Sequence, residues 1–234
     1  MNRIRQNGFT LVELTLAMAF IAALLLVIAM TIMQIGNIYN RGITYKDVNQ
    51  TGSALANELQ RSINTSVPFG LIPTDNNYVD QGELVGGRLC TGQYSYIWNY
   101  GRASIPLANQ YGSSPAGSDP IRFVKVSDKI RDYCKLPNKN IIYADAVELV
   151  GKGQNNLAIH SFTIDSPQST YDLKTGQRLY SISFSIGTNE STSLDGLFDG
   201  TTCKPDSVAD SNPSYCAVNR FDIVARAGND DAKK

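Results

Sequence analysis

Between Leu14 and Met33 the chain reads LTLAMAFIAALLLVIAMTIM, twenty residues in which only Thr15 and Thr31 are polar. As a helix rising about 1.5 Å per residue, this run spans about 30 Å, the thickness of the hydrocarbon core of a bilayer. No other stretch of the 234 residues approaches eighteen apolar positions, so the sequence predicts a single membrane crossing. Ahead of it lies the short polar leader MNRIRQNG, made basic by Arg3 and Arg5, which places the N-terminus in the cytoplasm and the remainder outside the inner membrane. Glu13 is out of character with its surroundings, because a carboxylate at the edge of a membrane segment is costly and usually functional.

A secretory signal peptide would carry a shorter apolar core of about 7–15 residues and a small-residue cleavage site after it. Here the small residue Gly8 precedes the apolar run, so cutting there removes only the basic leader and leaves the hydrophobic helix in place. The sequence Gly8-Phe9-Thr10-Leu11-Val12-Glu13 after a basic leader resembles the class III processing site of the type IV filament superfamily, the type IV prepilins and type II secretion pseudopilins. The resemblance implies cleavage between Gly8 and Phe9 by a prepilin peptidase and N-methylation of Phe9. It also implies assembly into a filament in which Glu13 of one subunit meets the freed Phe9 amine of its neighbour. An ordinary signal anchor, in which Glu13 only marks the membrane edge, is the alternative. Asn7 stands where a Lys or Arg often precedes the glycine. The first proline is Pro68, whereas many major pilins carry one within the apolar half of the helix.

Beyond Met33 the stripe keeps helical spacing through Ile35, Ile38, Gly42, Tyr45, Val48 or Asn49, Gly52, Leu55, Leu59 and Ile63, with Lys46, Asp47, Glu58 and Arg61 largely off it. One helix is expected from about Phe9 to about Ser66, stopped before Pro68. Gly36, Gly42 and Gly52 fit either soft points or close packing contacts. From there, short apolar runs separated by turn residues predict strands at Leu84–Cys90, Tyr94–Tyr100, Ile121–Val126, Ile141–Leu149, Leu157–Asp165, Arg178–Ile186 and Asn219–Arg226. In the clearest of these, Tyr180, Ile182, Phe184 and Ile186 alternate with serines, the pattern of a half-buried antiparallel strand. Asp128–Leu136 reads as a short helix or turn, and Asn109–Pro120 and Thr188–Ser214 as loops. The order of one long helix and then strands gives an α+β fold, a helix packed on an antiparallel sheet. This is also the fold of pilins. Ala144–Leu149 and the ending Arg220–Asn229 resemble strands of J-type pseudopilins and W-type minor pilins. The expected organisation is a cleaved leader at 1–8, a transmembrane and filament-core helix at 9–33, an amphipathic helix at 34–66 and a β-rich globular domain at 67–234.

Cys90, Cys134, Cys203 and Cys216 all follow the membrane segment, and an even number in an exported domain points to two disulfides. Three pairings are possible; Cys90–Cys134 with Cys203–Cys216 is favoured, the latter closing a small loop. No C-x₂-C pair accompanies them and the lone histidine, His160, is distant, which argues against a metal site. Lys+Arg and Asp+Glu are both 21, so no basic excess indicates nucleic acid.

His160 shares strand parity with Phe162 and Ile164, which makes it a partly buried strand residue rather than a catalytic base. No hydrolase, zincin, P-loop or dinucleotide fingerprint is present, and neither catalytic residues nor a cofactor is expected. Asp195, Asp199, Asp206 and Asp210 form a solvated acidic loop or, in the sharper reading, a Ca²⁺ site. Tyr94–Tyr100 is half core by alternation, with an adhesive surface as the rival reading. Asn64 and Asn189 open sequences that match the glycosylation pattern.

The resemblance thus implies a structural subunit, a minor pilin, rather than an enzyme. Its partners would be other pilin subunits, the prepilin peptidase and the inner-membrane assembly platform. It would sit in the inner membrane before assembly and in a surface filament afterwards. Its rivals are a major pilin, a type II secretion pseudopilin and a membrane-anchored surface protein that never polymerises.

Overall fold

The computed structural model describes residues 10–71, 77–82, 85–101, 121–135, 146–151, 153, 155–167, 172–189, 198–199, 202–203 and 216–228. Helix α1 (Leu11–Asn64) runs unbroken for 54 residues. Leu, Ala and Met dominate its first half and no proline interrupts it, so propensity and length favour the helix throughout. It begins inside the expected bound because Thr10 takes the N-cap, at φ −76° and ψ 147°. It ends at Asn64 because Thr65 and Ser66 turn their amides back to the carbonyls of Arg61 and Ile63, at 3.2 and 3.0 Å, two residues before Pro68.

The stripe of α1 that packs is shorter than the periodicity implies. Its buried residues are Thr44, Val48, Gly52, Leu55, Ala56, Leu59, Ser62 and Ile63. Ile35 and Ile38, expected on the same stripe, are 65% and 72% exposed, and Tyr45 and Gly42 also face outwards. Among the described residues burial on α1 begins in earnest at Thr44, so the apolar spacing at Ile35 and Ile38 lies on an exposed part of the helix.

Strands β1 (Tyr78–Asp80), β2 (Gly86–Cys90), β3 (Tyr94–Asn99), β4 (Phe123–Ser127) and β5 (Ala146–Val150) form an antiparallel meander in that order, with helix α2 (Asp132–Lys135) between β4 and β5. Strands β6 (Leu157–Asp165) and β7 (Arg178–Thr188) follow, then a small hairpin of β8 (Phe198–Asp199) and β9 (Thr202–Cys203). The last described element is β10 (Val218–Ala227), and the second antiparallel sheet is ordered β10-β7-β6. Every expected strand is present, although the stretch expected at Ile141–Leu149 is described only from Ala146. The three-residue β1 and the β8–β9 hairpin have no clear signal in the sequence, the latter falling in a region that reads as loop. A parallel bridge between Tyr100 and Ile159 joins the two sheets.

One core fills the space between α1 and both sheets. Tyr180, Ile182, Phe184 and Ile186 of β7 are fully buried, as their alternation requires, and meet Leu55, Leu59 and Ile63 of α1. Trp98, Phe123 and Phe162 carry the core across the sheet boundary, with ring centroids 4.3 Å apart for Trp98–Phe162 and 5.5 Å for Trp98–Phe123. Each such side chain contributes about 1.5–3 kcal/mol of apolar transfer. This is an α+β, pilin-like architecture: a long N-terminal helix whose C-terminal half packs on antiparallel sheets.

The glycines of α1 divide by environment. A Cβ on Gly52 would lie 2.1 Å from the Phe221 ring, whereas Gly36 and Gly42 have open space around them. Gly52→Val should therefore lower stability by about 1–3 kcal/mol, while Gly42→Ala should be neutral or gain up to about 1 kcal/mol. Thermal unfolding of the full chain in detergent measures both.

Candidate functional site

The first turn of α1 is a reciprocal capping box. The Thr10 amide and hydroxyl donate to Oε2 of Glu13 at 3.0 and 2.9 Å, and the Glu13 amide donates to the Thr10 hydroxyl at 3.3 Å. Each residue satisfies a donor that the helix start leaves orphaned, and the carboxylate sits at the positive end of the helix dipole. Both bonds fall on one carboxylate oxygen, so Glu13 retains acceptor capacity for a further donor. Gly8 and Phe9, the expected cleavage and methylation positions, lie outside the described residues.

From Leu11 to Ile43 every residue except Asn40 is exposed within the subunit. This part of α1 is long and apolar enough to cross a membrane, and none of its most apolar window is buried inside the chain. Thr15 and Thr31 do not interrupt it, because their hydroxyls donate to the carbonyls of Val12, Val27 and Ile28 within the helix. The site thus consists of an acidic, capped helix start followed by an exposed apolar rod.

The four cysteines form Cys90–Cys134 and Cys203–Cys216, with Cα separations of 6.3 and 6.0 Å. The first ties α2 to β2. Asp128 caps α2 by accepting from the amides of Asp132 and Tyr133 at 2.9 and 3.1 Å, and the Ser95 hydroxyl reaches Asp128 at 2.6 Å. Arg88 donates to the Tyr133 carbonyl at 2.5 Å, so the small helix is held at both ends over the disulfide.

The other sequence candidates resolve as follows. The aromatic stretch is not an adhesive surface: Ser95 through Tyr100 are all buried, and only Tyr94 is partly open. Alternation exposes half a strand only where one face meets water, and both faces of β3 are covered here. Burial accordingly holds the phenols of Tyr96 and Tyr100 well above the ordinary tyrosine range.

His160 is partly buried in β6 but does not share the parity of Phe162 and Ile164. The register slips between Ile159 and Ser161, so His160 is the extra residue of a β-bulge and Ile159 faces the core instead. Its Nε2 lies 3.2 Å from the Thr188 carbonyl. Asn189 is buried, which does not suit a glycan, and Asn64 accepts from the Arg226 amide at 3.1 Å.

Asp195, Asp206 and Asp210 lie outside the described residues, as does the side chain of Asp199. Among the described residues no group of three or more His, Cys, Asp or Glu is placed to hold a metal ion.

Two polar features have no counterpart in the sequence reading. Lys125 Nζ meets Glu58 Oε1 at 2.5 Å and sits 3.6 Å from the Tyr94 ring centroid, clamping α1 to β4. Gln60 of α1 donates to the Val224 carbonyl at 3.0 Å and Asn64 accepts from Arg226, so the helix seals the outer edge of β10. Glu58, Gln60 and Asn64 look like ordinary solvent-facing helix residues, and only the docked strands reveal their partners.

Comparison with protein-family models, with curated proteins and with solved structures finds no match.

In the chain-entropy account, opening Cys90–Cys134 by Cys90→Ser with Cys134→Ser should cost about 4 kcal/mol and opening Cys203–Cys216 about 3 kcal/mol. The order of the two thermal midpoints, each against the unchanged chain, tests this.

Proposed function

We propose that the chain is a structural subunit of a type IV filament, specifically a minor pilin. The observation that carries this reading is the division of one unbroken helix into an exposed apolar half and a packed half, with a lone carboxylate at the start of the exposed half. A membrane anchor needs only about twenty apolar residues. It requires neither rigid continuation into the globular domain nor an acid at its entrance.

In this reading a peptidase cuts after Gly8, and the new Phe9 amine is a cation in or near lipid. Glu13, four residues on, is an anion in the same setting, and isolated charges there cost several kcal/mol each. Stacking subunits along an axis brings Glu13 of one against the Phe9 amine of the next, which fixes axial register as buried polar groups do in coiled coils. Until then Thr10 supplies the hydrogen bonds that Glu13 accepts. The exposed faces of Leu14–Met33 then exchange lipid for one another. The assembly platform of the inner membrane would be the site of that exchange. The chain's large globular domain and the absence of a proline before Pro68 favour a minor subunit over a major one.

A membrane-anchored surface protein that never polymerises is the competing reading, and processing separates the two. In cells lacking the prepilin peptidase, the chain should accumulate about eight residues longer than in cells with it. An unchanged size on removing the peptidase would end the filament reading. Glu13→Leu should leave cleavage intact and abolish recovery of the chain in sheared filaments; normal recovery of that variant would remove the pairing of Glu13 with a neighbour.

A further inference from the structure

Between the apolar run that ends at Met33 and the first buried residue, Thr44, α1 has a ten-residue neck, Gln34–Ile43, in which every residue but the half-buried Asn40 is exposed. We infer that this neck is a lipid-headgroup surface, in which Ile35, Ile38 and Tyr39 lie in the outer interface of the membrane and Arg41 takes an anionic phospholipid headgroup. The inference rests on α1 being a membrane span and does not depend on polymerisation.

Distance is the first support. With Glu13 kept at the inner edge, Leu14–Met33 fills the hydrocarbon and Tyr39 lies six residues, or about 9 Å, beyond it. The headgroup layer on each side is roughly 5–8 Å deep. Helical side chains lean toward the N-terminus, which here is toward the bilayer, so the Tyr39 ring and the longer Arg41 side chain reach back into that layer. Tyrosine is favoured at this depth because its ring is apolar and its hydroxyl is not.

Azimuth is the second. At about 100° per residue, Tyr39 and Arg41 lie about 160° apart around the helix, with Ile35 and Ile38 between them. Ile35, Ile38 and Tyr39 thus share one arc with Arg41 at its end, and are 65%, 72% and 67% exposed. An apolar and aromatic arc that ends in a base suits the boundary between hydrocarbon and headgroups.

Charge is the third. Arg41 is exposed, lies 5.9 Å from the Tyr45 ring centroid and is the only charged residue between Glu13 and Lys46. A cation just outside the hydrocarbon complements a phosphate.

The test places Tyr39→Trp in the full chain, reconstituted in phosphatidylcholine vesicles containing phosphatidylglycerol, with the signal of the buried Trp98 subtracted using the unchanged chain. Resistance to alkaline carbonate extraction checks the membrane span separately, so failure there is distinct from failure of the headgroup surface. A headgroup-attached nitroxide should reduce the emission of the introduced indole more than a nitroxide deep in the acyl chain. Withdrawing phosphatidylglycerol should increase quenching by aqueous acrylamide, and Arg41→Gln should abolish that dependence. An introduced indole quenched by acrylamide but by neither lipid nitroxide would place the neck in water and overturn the proposal. Shielding of that indole from acrylamide and from both nitroxides would place it against a second protein chain, which overturns the proposal equally. A phosphatidylglycerol dependence that survives Arg41→Gln would overturn the headgroup assignment of Arg41.

Discussion

The contact between the upper half of α1 and the second sheet is the interaction on which the rest of the molecule depends. Gly52 lets the Phe221 ring lie directly on the helix, and Leu55, Leu59 and Ile63 continue the same wall over β7. Without the helix, the inner face of that sheet would have no cover on that side, and Tyr180, Ile182, Phe184 and Ile186 would be open to water. The edge of β10 would be bare as well, because Gln60 and Asn64 occupy its carbonyl and amide positions at Val224 and Arg226. The helix therefore acts both as core and as the device that closes a sheet edge. The opposite edge is closed from the other sheet: Arg122 donates to the Leu157 carbonyl at 2.6 Å and the Tyr78 hydroxyl to that of Phe162 at 3.0 Å.

The first sheet shares that apolar core through Leu89, Tyr96, Trp98 and Phe123 and adds a polar contact with α1. Lys125 and Glu58 pair in a partly buried setting roofed by Tyr94, while Tyr96 beside them is fully buried. A pair of this kind adds less than apolar burial but is directional, since the ammonium must meet the carboxylate within hydrogen-bond distance. The two attachments divide the labour. Apolar packing on β7 and β10 supplies most of the cohesion, and the clamp on β4 fixes how far the meander can slide along the helix.

Periodicity makes the helix, seven strands and the core face of β7 legible, because burial on one side enforces a period that water on the other side makes visible. It fails where that condition fails. Ile35 and Ile38 have helical spacing but are exposed, so spacing alone overextends the buried stripe. Tyr94–Tyr100 loses its alternation because both faces are covered, and α2 with its disulfide contributes to the second cover. Parity puts His160 on the wrong face because a bulge adds one residue and reverses the alternation, and nothing local in Ile159-His160-Ser161 announces it. At the candidate site, Glu13 is conspicuous as an acid in an apolar run. Its reciprocal bond with Thr10 follows from an S/T-x-x-E spacing that is equally written in the sequence. The hydrogen bonds of Gln60 and Asn64 depend on which strand docks, and no local pattern encodes that.

A helix in lipid has no preferred rotation when its whole circumference is apolar, as it is from Leu14 to Met33. Any direction that Glu13 has relative to the globular domain must therefore be set at the other end, where Gly52 and Phe221 fix the rotation of α1 against β10. Transmission requires the intervening segment to stay helical. The neck contains Gly36 and Gly42, each about 1 kcal/mol weaker than alanine, but no proline, and its hydrogen bonding is continuous. Thr44 donates to the Asn40 carbonyl at 3.0 Å where packing begins, so the helical backbone is intact at the point of hand-over. In a bilayer the same rod would carry both a height, set by lipid, and a rotation, set by protein. Neither end alone determines where Glu13 points.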